Sequence, residues 1–88
     1  MLTKPAGTTQ VLTSSGSSAQ STALTDVTRV RLAATENVHV AFGTNPTAAN
    51  TDMILTKDAP EVFAITPGHK VAVLQVTTGG KVSVTPVR

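Results

Sequence analysis

Eighty-eight residues with a formal net charge of +2 leave room for one domain, and so small a charge names no partner. The chain has 40% hydrophobic, 14% charged and 2% aromatic residues, with no Cys, Trp or Tyr, so a disulfide scaffold is excluded. Thr occurs 16 times and Val 12 times; both are β-branched and suit a pleated strand, which excludes a coiled coil or helical bundle.

Residues 1–25 differ from the rest. Thr8-Thr9 and Ser14-Ser15-Gly16-Ser17-Ser18 dominate, and Leu2, Val11, Leu12 and Leu24 are the only large apolar groups besides Met1. Such a stretch cannot offset its own ordering entropy. It is expected to be an extended Ser/Thr-rich arm, with Thr8–Thr13 and Ala19–Leu24 becoming strands where a sheet edge is offered. Lys4 has no apolar run behind it, so no secretory signal is expected. No stretch of the chain reaches the roughly 18 apolar residues of a membrane span.

A β domain is expected over residues 26–88. Thr28, Val30, Leu32 and Ala34 alternate with Arg29, Arg31 and Ala33, a period of two that puts both arginines on the outer face. Val38, Val40 and Phe42 alternate with His39 and Ala41. With Glu36-Asn37 between them, the two runs Thr28–Thr35 and Val38–Phe42 read as a β-hairpin. GTNPTAANTD, residues 43–52, is a loop by its Gly, Asn-Pro and Asn/Asp content. Met53–Thr56 and Glu61–Ile65 follow as short strands around the turn Lys57–Pro60. Thr66-Pro67-Gly68-His69 has Pro and Gly where a type II turn wants them. Lys70–Val76 is apolar at both parities, the pattern of a strand covered on both faces. Thr77–Gly80 reads as a hairpin turn into Val82 and Val84, and Pro86, which has no N–H to donate, is expected to end the ladder. The fold class is all-β: a small antiparallel β-sandwich or barrel of about six to eight short strands with an extended N-terminal arm.

Catalytic constellations are not apparent. The two histidines, His39 and His69, have no Ser elbow, Cys or patterned carboxylate beside them. Asp26, Glu36, Asp52, Asp58 and Glu61 fall at turns or strand ends, where acidic residues are common without chemistry. Zinc spacing is absent, and Pro46 and two alanines break the calcium-like Asn45–Asp52 stretch. Gly79-Gly80-Lys81 lacks the earlier Gly and following Ser or Thr of a phosphate loop. No enzyme activity, cofactor or metal is expected. Lys4, Arg29, Arg31, Lys57, Lys70, Lys81 and Arg88 are scattered, without the clustering and stacking aromatics of a nucleic-acid binder. Neither nucleic acid nor a membrane is an expected partner. The surviving interaction signal is Arg29 and Arg31 on one strand face, shared through the hairpin with His39, because Arg holds carboxylates in a planar fork.

The core adds a second clue. Ordering a chain costs about 1.5 kcal/mol per residue, and here the apolar side rests mostly on Val, a small side chain. Oligomerisation or docking on a larger partner is the usual supplement at this size.

The segments RVRLAATENVHVAFGTNPTA (29–48), DMIL (52–55) and APEVFAITPGHKVAVLQVTTGGKVSVT (59–85) together resemble small structural proteins of tailed bacteriophages. There a strand ending VHVAFG leads to an NPTA-type loop, a PE turn and a VAVLQ strand. The resemblance implies a virion component, foremost a capsid decoration (cement) protein made in the bacterial host cytoplasm and carried on the capsid surface. It implies as partners the major capsid protein or other virion proteins, and a symmetric homo-oligomer such as a trimer, with residues 1–25 draped over neighbouring subunits. A head–tail connector, baseplate or fibre-base component is the alternative within this class. A host-surface glycan-binding module is the alternative outside it, opposed by the lack of Trp and Tyr for sugar stacking.

Overall fold

The computed structural model describes residues 7–87, and every regular element among them is a strand. In chain order these are β1 Gln10–Thr13, β2 Ala19–Gln20, β3 Arg29–Ala34, β4 Val38–Gly43, β5 Met53–Leu55, β6 Glu61–Ala64, β7 Lys70–Gln75 and β8 Lys81–Pro86. They form two four-stranded antiparallel sheets, ordered β1-β8-β3-β6 (sheet 1) and β2-β7-β4-β5 (sheet 2). The expected all-β antiparallel sandwich of short strands is what the chain adopts.

The strand order has a simple origin. β1 pairs with β8, β2 with β7, β3 with β6 and β4 with β5, like rungs of one long hairpin whose tip is the loop after β4. Wrapping that hairpin on itself lays β3 against β8 and β4 against β7. This is jelly-roll connectivity, and every link except β4–β5 carries the chain from one sheet to the other.

Two expected hairpins are therefore corrected. β3 and β4 form where the alternation placed them, but they stand in opposite sheets and do not pair. A two-residue hairpin turn needs positive φ at its first central residue, and in type I′ at both. Only Asp26 and Asp58 among the described non-glycine residues have it, not Glu36 or Asn37, so residues 35–37 turn a corner. Residues 76–80 likewise carry the chain from β7 in sheet 2 to β8 in sheet 1. Gly79 serves that crossing, since a Cβ there would stand 2.5 Å from the Ser14 carbonyl oxygen. The type II turn is as expected: Gly68 has φ +89° and the His69 amide donates to the Thr66 carbonyl at 3.0 Å. Pro86 does not end the ladder, because the Val87 amide still reaches the Arg29 carbonyl at 3.2 Å. Successive amides point to opposite edges, so the missing N–H of Pro86 faces the β1 side, where β1 has not yet begun.

Between the sheets lies a narrow core. Its largest fully buried side chains are Leu32, Leu55, Val30, Val38, Val71, Val73, Val82 and Val84. Phe42 of β4 and Phe63 of β6 join the sheets at one side, their ring centroids 5.5 Å apart and tilted 50°, a favourable offset for aromatic quadrupoles. On β7, Val71, Ala72 and Val73 are all fully buried, so this strand is covered on both faces as its sequence implies.

Residues 1–6 of the expected arm lie outside the described residues. Its remainder is built into the sandwich: β1 and β2 supply one edge strand to each sheet, and Leu24 is buried in the core. Two of its serines explain how so polar a stretch is held. The Ser14 amide donates to the Gly80 carbonyl at 2.9 Å while the Ser14 hydroxyl accepts from the Gly80 amide at 2.7 Å. Ser21 does the same with Val71, at 2.8 and 3.0 Å. Thr35 repeats the device at the end of β3 with Lys81, both bonds 2.9 Å long. In each case the backbone leaves its sheet and the hydroxyl takes the next amide that would lose its partner.

Replacing buried Ser14 by Ala leaves the Gly80 amide without its acceptor. It is expected to lower stability by about 1–3 kcal/mol, whereas Ser15→Ala, at an exposed hydroxyl, stays within about 0.5 kcal/mol. Urea denaturation followed by circular dichroism measures both, and equal losses would show that the Ser14 hydroxyl is not a structural bond.

Candidate interaction surface

The two sheets present very different outer faces. On sheet 2 the outward residues include His39 and Ala41 of β4 and Ala72 and Leu74 of β7, with His39 level with Leu74 and Ala41 level with Ala72. Residues 44–52 lie across this face. The Ala48 amide donates to the Ser18 hydroxyl at 2.9 Å beside β2, Gln20 Nε2 donates to Asn45 Oδ1 at 3.4 Å, and the Asp52 carbonyl meets His39 Nδ1 at 2.9 Å. The loop closes on itself through the Ala49 amide to Asp52 Oδ2 (2.8 Å) and the Asp52 amide to the Ala49 carbonyl (3.0 Å). Beneath it Ala72 is fully buried and His39 is 7% exposed, and Ala48 of the loop is itself buried. Alanines at 41 and 72 in otherwise Val-rich strands leave room for that close layer.

His39 is thereby separated from the arginines it was expected to accompany. It stands on the outer face of the other sheet, under a loop. A carbonyl oxygen only accepts, so Nδ1 donates to Asp52 and carries the ring proton in this arrangement. The outward parity of His39 is correct; what covers it comes from residues 44–52, which strand periodicity does not reveal. His69 sits in the 66–69 turn, where its carbonyl accepts from the Leu24 amide at 2.9 Å.

Arg29 and Arg31 are where the alternation puts them, exposed on the outer face of sheet 1. Arg31 is level with Thr85 of β8 on one side and Val62 of β6 on the other. Neither guanidinium is paired with a carboxylate among the described residues. One residue further along β3, on the same face after the intervening Leu32, Ala33 is level with Ser83. Those two small side chains form the floor of a concavity of about 470 Å³, bounded by Val11, Pro60 and, at one end, Thr35, Asp58 and Lys81. Lys81 is steadied by donating to the Thr13 hydroxyl at 2.9 Å. Val11, at the rim, is 63% exposed. Small-molecule sites have comparable volume but are usually walled by aromatic side chains and convergent polar groups. This one is an open depression of mixed character, with Asp58 and Lys81 beside its apolar lining, and Arg31 stands two residues along β3 from Ala33.

Sequence periodicity found the arginines but not Val11, Ala33 and Ser83, because the depression forms only when β1, β3 and β8 are brought side by side. Among the described residues no three His, Asp or Glu side chains gather as a metal site. The acidic residues are dispersed: Asp52 closes its loop, Asp58 occupies a turn at φ 57°, Glu36 lies between β3 and β4, and Glu61 opens β6.

His39→Ala removes the bond that holds the end of loop 44–52. It is expected to cost about 1–2 kcal/mol and to speed amide hydrogen exchange across residues 44–52, with Arg29→Ala leaving both unchanged. Exchange measured by mass spectrometry tests this; unchanged protection of the loop in the His39 variant would refute the pinning role. No family model, curated protein or solved structure matches this chain.

Proposed function

We propose that this chain is a bacteriophage virion structural protein, foremost a capsid decoration protein that binds the assembled head and stabilises it. The observation that carries the reading is the asymmetry of the two outer faces. Loop 44–52 covers much of sheet 2, whereas sheet 1 leaves Arg29, Arg31 and the Ala33–Ser83 depression open to a partner. The complementary surface is acidic, with an aliphatic group to seat in the depression, and the major capsid protein is the partner that fits the sequence resemblance. Jelly rolls recur among virion proteins, which supports the reading by analogy of fold.

The mechanism is mass action. A protein that binds only the assembled shell lowers its free energy by RT ln(1 + [L]/Kd), and a symmetric lattice multiplies weak single contacts through avidity. A place in the neck, baseplate or fibre base uses the same surface against a different subunit. Jelly rolls also serve as lectins, but the depression has no aromatic wall on which a sugar would stack.

Quantitative mass spectrometry of purified virions tests the assignment. Copies in proportion to the capsid subunits are expected; copies matching a single ring would move the protein to the neck or baseplate, and absence would end the reading. Arg31→Glu is expected to weaken binding to heads about tenfold, equivalent to about 1.4 kcal/mol, and wild-type binding to weaken as salt rises. Co-sedimentation with heads lacking the protein measures both.

A further inference from the structure

The outer face of sheet 1 is contoured along its strands. Val11, Ser83 and Ala33 are level across β1, β8 and β3, so the two central strands are low here and the edge strand is high. Val11 is 63% exposed, and Val62 on the opposite edge strand, β6, is 46% exposed. The result is a trough parallel to β3, walled by Val11 on one side and by Pro60, just before β6, on the other. β1 and β6 are three steps apart in the sheet, about 14 Å between backbones. The wall side chains narrow that gap below the roughly 10–12 Å diameter of an α-helix, whereas a single extended chain enters it.

Charge gives the trough a direction. Arg31 lies two residues from Ala33 along β3, on the same face, and is not paired with a carboxylate among the described residues. At the other end Lys81 shares the lining with Asp58, and its Nζ already donates to the Thr13 hydroxyl at 2.9 Å. A carboxylate is therefore drawn to the Arg31 end, where the guanidinium fork can hold it by two bonds, and opposed by Asp58 at the far end. Spacing adds a second condition. Successive residues of an extended chain point to opposite sides, and residues i and i+2 stand about 7 Å apart on one side. That step matches the one from Arg31 to Ala33.

We propose that the trough takes an extended segment of the partner protein in which an acidic residue and a Val, Leu or Ile are separated by one residue. The carboxylate pairs with Arg31 while the aliphatic group rests on Ala33 and Ser83, between Val11 and Pro60. This occupant rests on the assignment of sheet 1 as the partner face, and it fixes the conformation and residue pattern that the face selects.

Titration of the 15N-labelled protein with short capped Thr-rich peptides, followed by NMR, provides the test. One peptide carries Asp and Val separated by one residue, a second carries them adjacent and so on opposite sides, and a third has Lys in place of Asp. The first is expected to shift the amide signals of Arg31, Ala33 and Ser83 and to bind about tenfold more tightly than the second. Ala33→Leu, which fills the trough, and Arg31→Glu are each expected to weaken it about tenfold with an unchanged circular dichroism spectrum, and Arg31→Glu to prefer the lysine peptide. Equal affinity for the spaced and adjacent peptides, shifts confined to sheet 2, or no shift at millimolar peptide would overturn the proposal. The peptide comparison uses the wild-type protein, so it decides the matter even if a variant fails to fold. Copy number in virions is read separately. A protein counted there whose trough ignores the spaced peptide loses this occupant and keeps its assignment; a protein absent from virions that binds the peptide keeps the occupant, on a partner outside the virion.

Discussion

Changing sheets is the constraint on which the structure depends. Six of the seven links between strands cross from one sheet to the other, and at each crossing the backbone abandons a ladder whose next amide and carbonyl still need partners. In water that need is met by solvent, but the corners at Ser14 and Ser21 are buried, while the one at Thr35 stays exposed. Ser14, Ser21 and Thr35 meet it with paired backbone and hydroxyl bonds to Gly80, Val71 and Lys81. Part of the abundance of Ser and Thr is therefore a requirement of the connectivity. A chain that turned by tight hairpins would have far fewer such corners to satisfy.

The same connectivity governs the core and the surfaces. Because strands close in sequence lie in opposite sheets, inward residues interdigitate across a thin layer, filled by six Val and two Leu with the Phe42–Phe63 contact at one side. Valine fits a narrow gap without leaving its preferred rotamer, at the expense of apolar area per residue. The long loop at the hairpin tip folds back over sheet 2, and β7 gains a second cover there. Sheet 1 receives no such loop over Ala33 and Ser83. One face is closed and the other open because the wrapped hairpin has only one tip.

Strand positions and facing were legible in the sequence, since a period of two reports which side of a sheet a residue occupies. Arg29 and Arg31 point outward and Val71 to Val73 are buried on both sides, as their patterns imply. Pairing was not legible. Alternation is blind to which strand lies alongside, so β3 and β4 looked like a hairpin when only the φ values of residues 36 and 37 distinguish a hairpin from a corner. The N-terminal segment shows the same limit. Ser14 and Ser15 are neighbours of identical type, and what separates them is the proximity of Gly80, more than sixty residues away in the chain. His39 was placed on the correct face of its strand, but its burial belongs to a loop whose path no local pattern records.

The nested pairing also determines the order in which the chain can fold. β4 and β5 are the only paired strands that follow one another in the chain, while Gln10 meets Val84 and Ala19 meets Val73. Closing the outer pairs first would incur the loop entropy of nearly the whole chain, so the cheapest route zips from the 44–52 tip outward, β3 onto β6, β2 onto β7 and β1 onto β8 last. Such non-local topologies fold on the order of milliseconds to seconds. On that order β8 and β7 keep an unpaired edge until β1 and β2 dock, and an unpaired strand edge is a template for another chain.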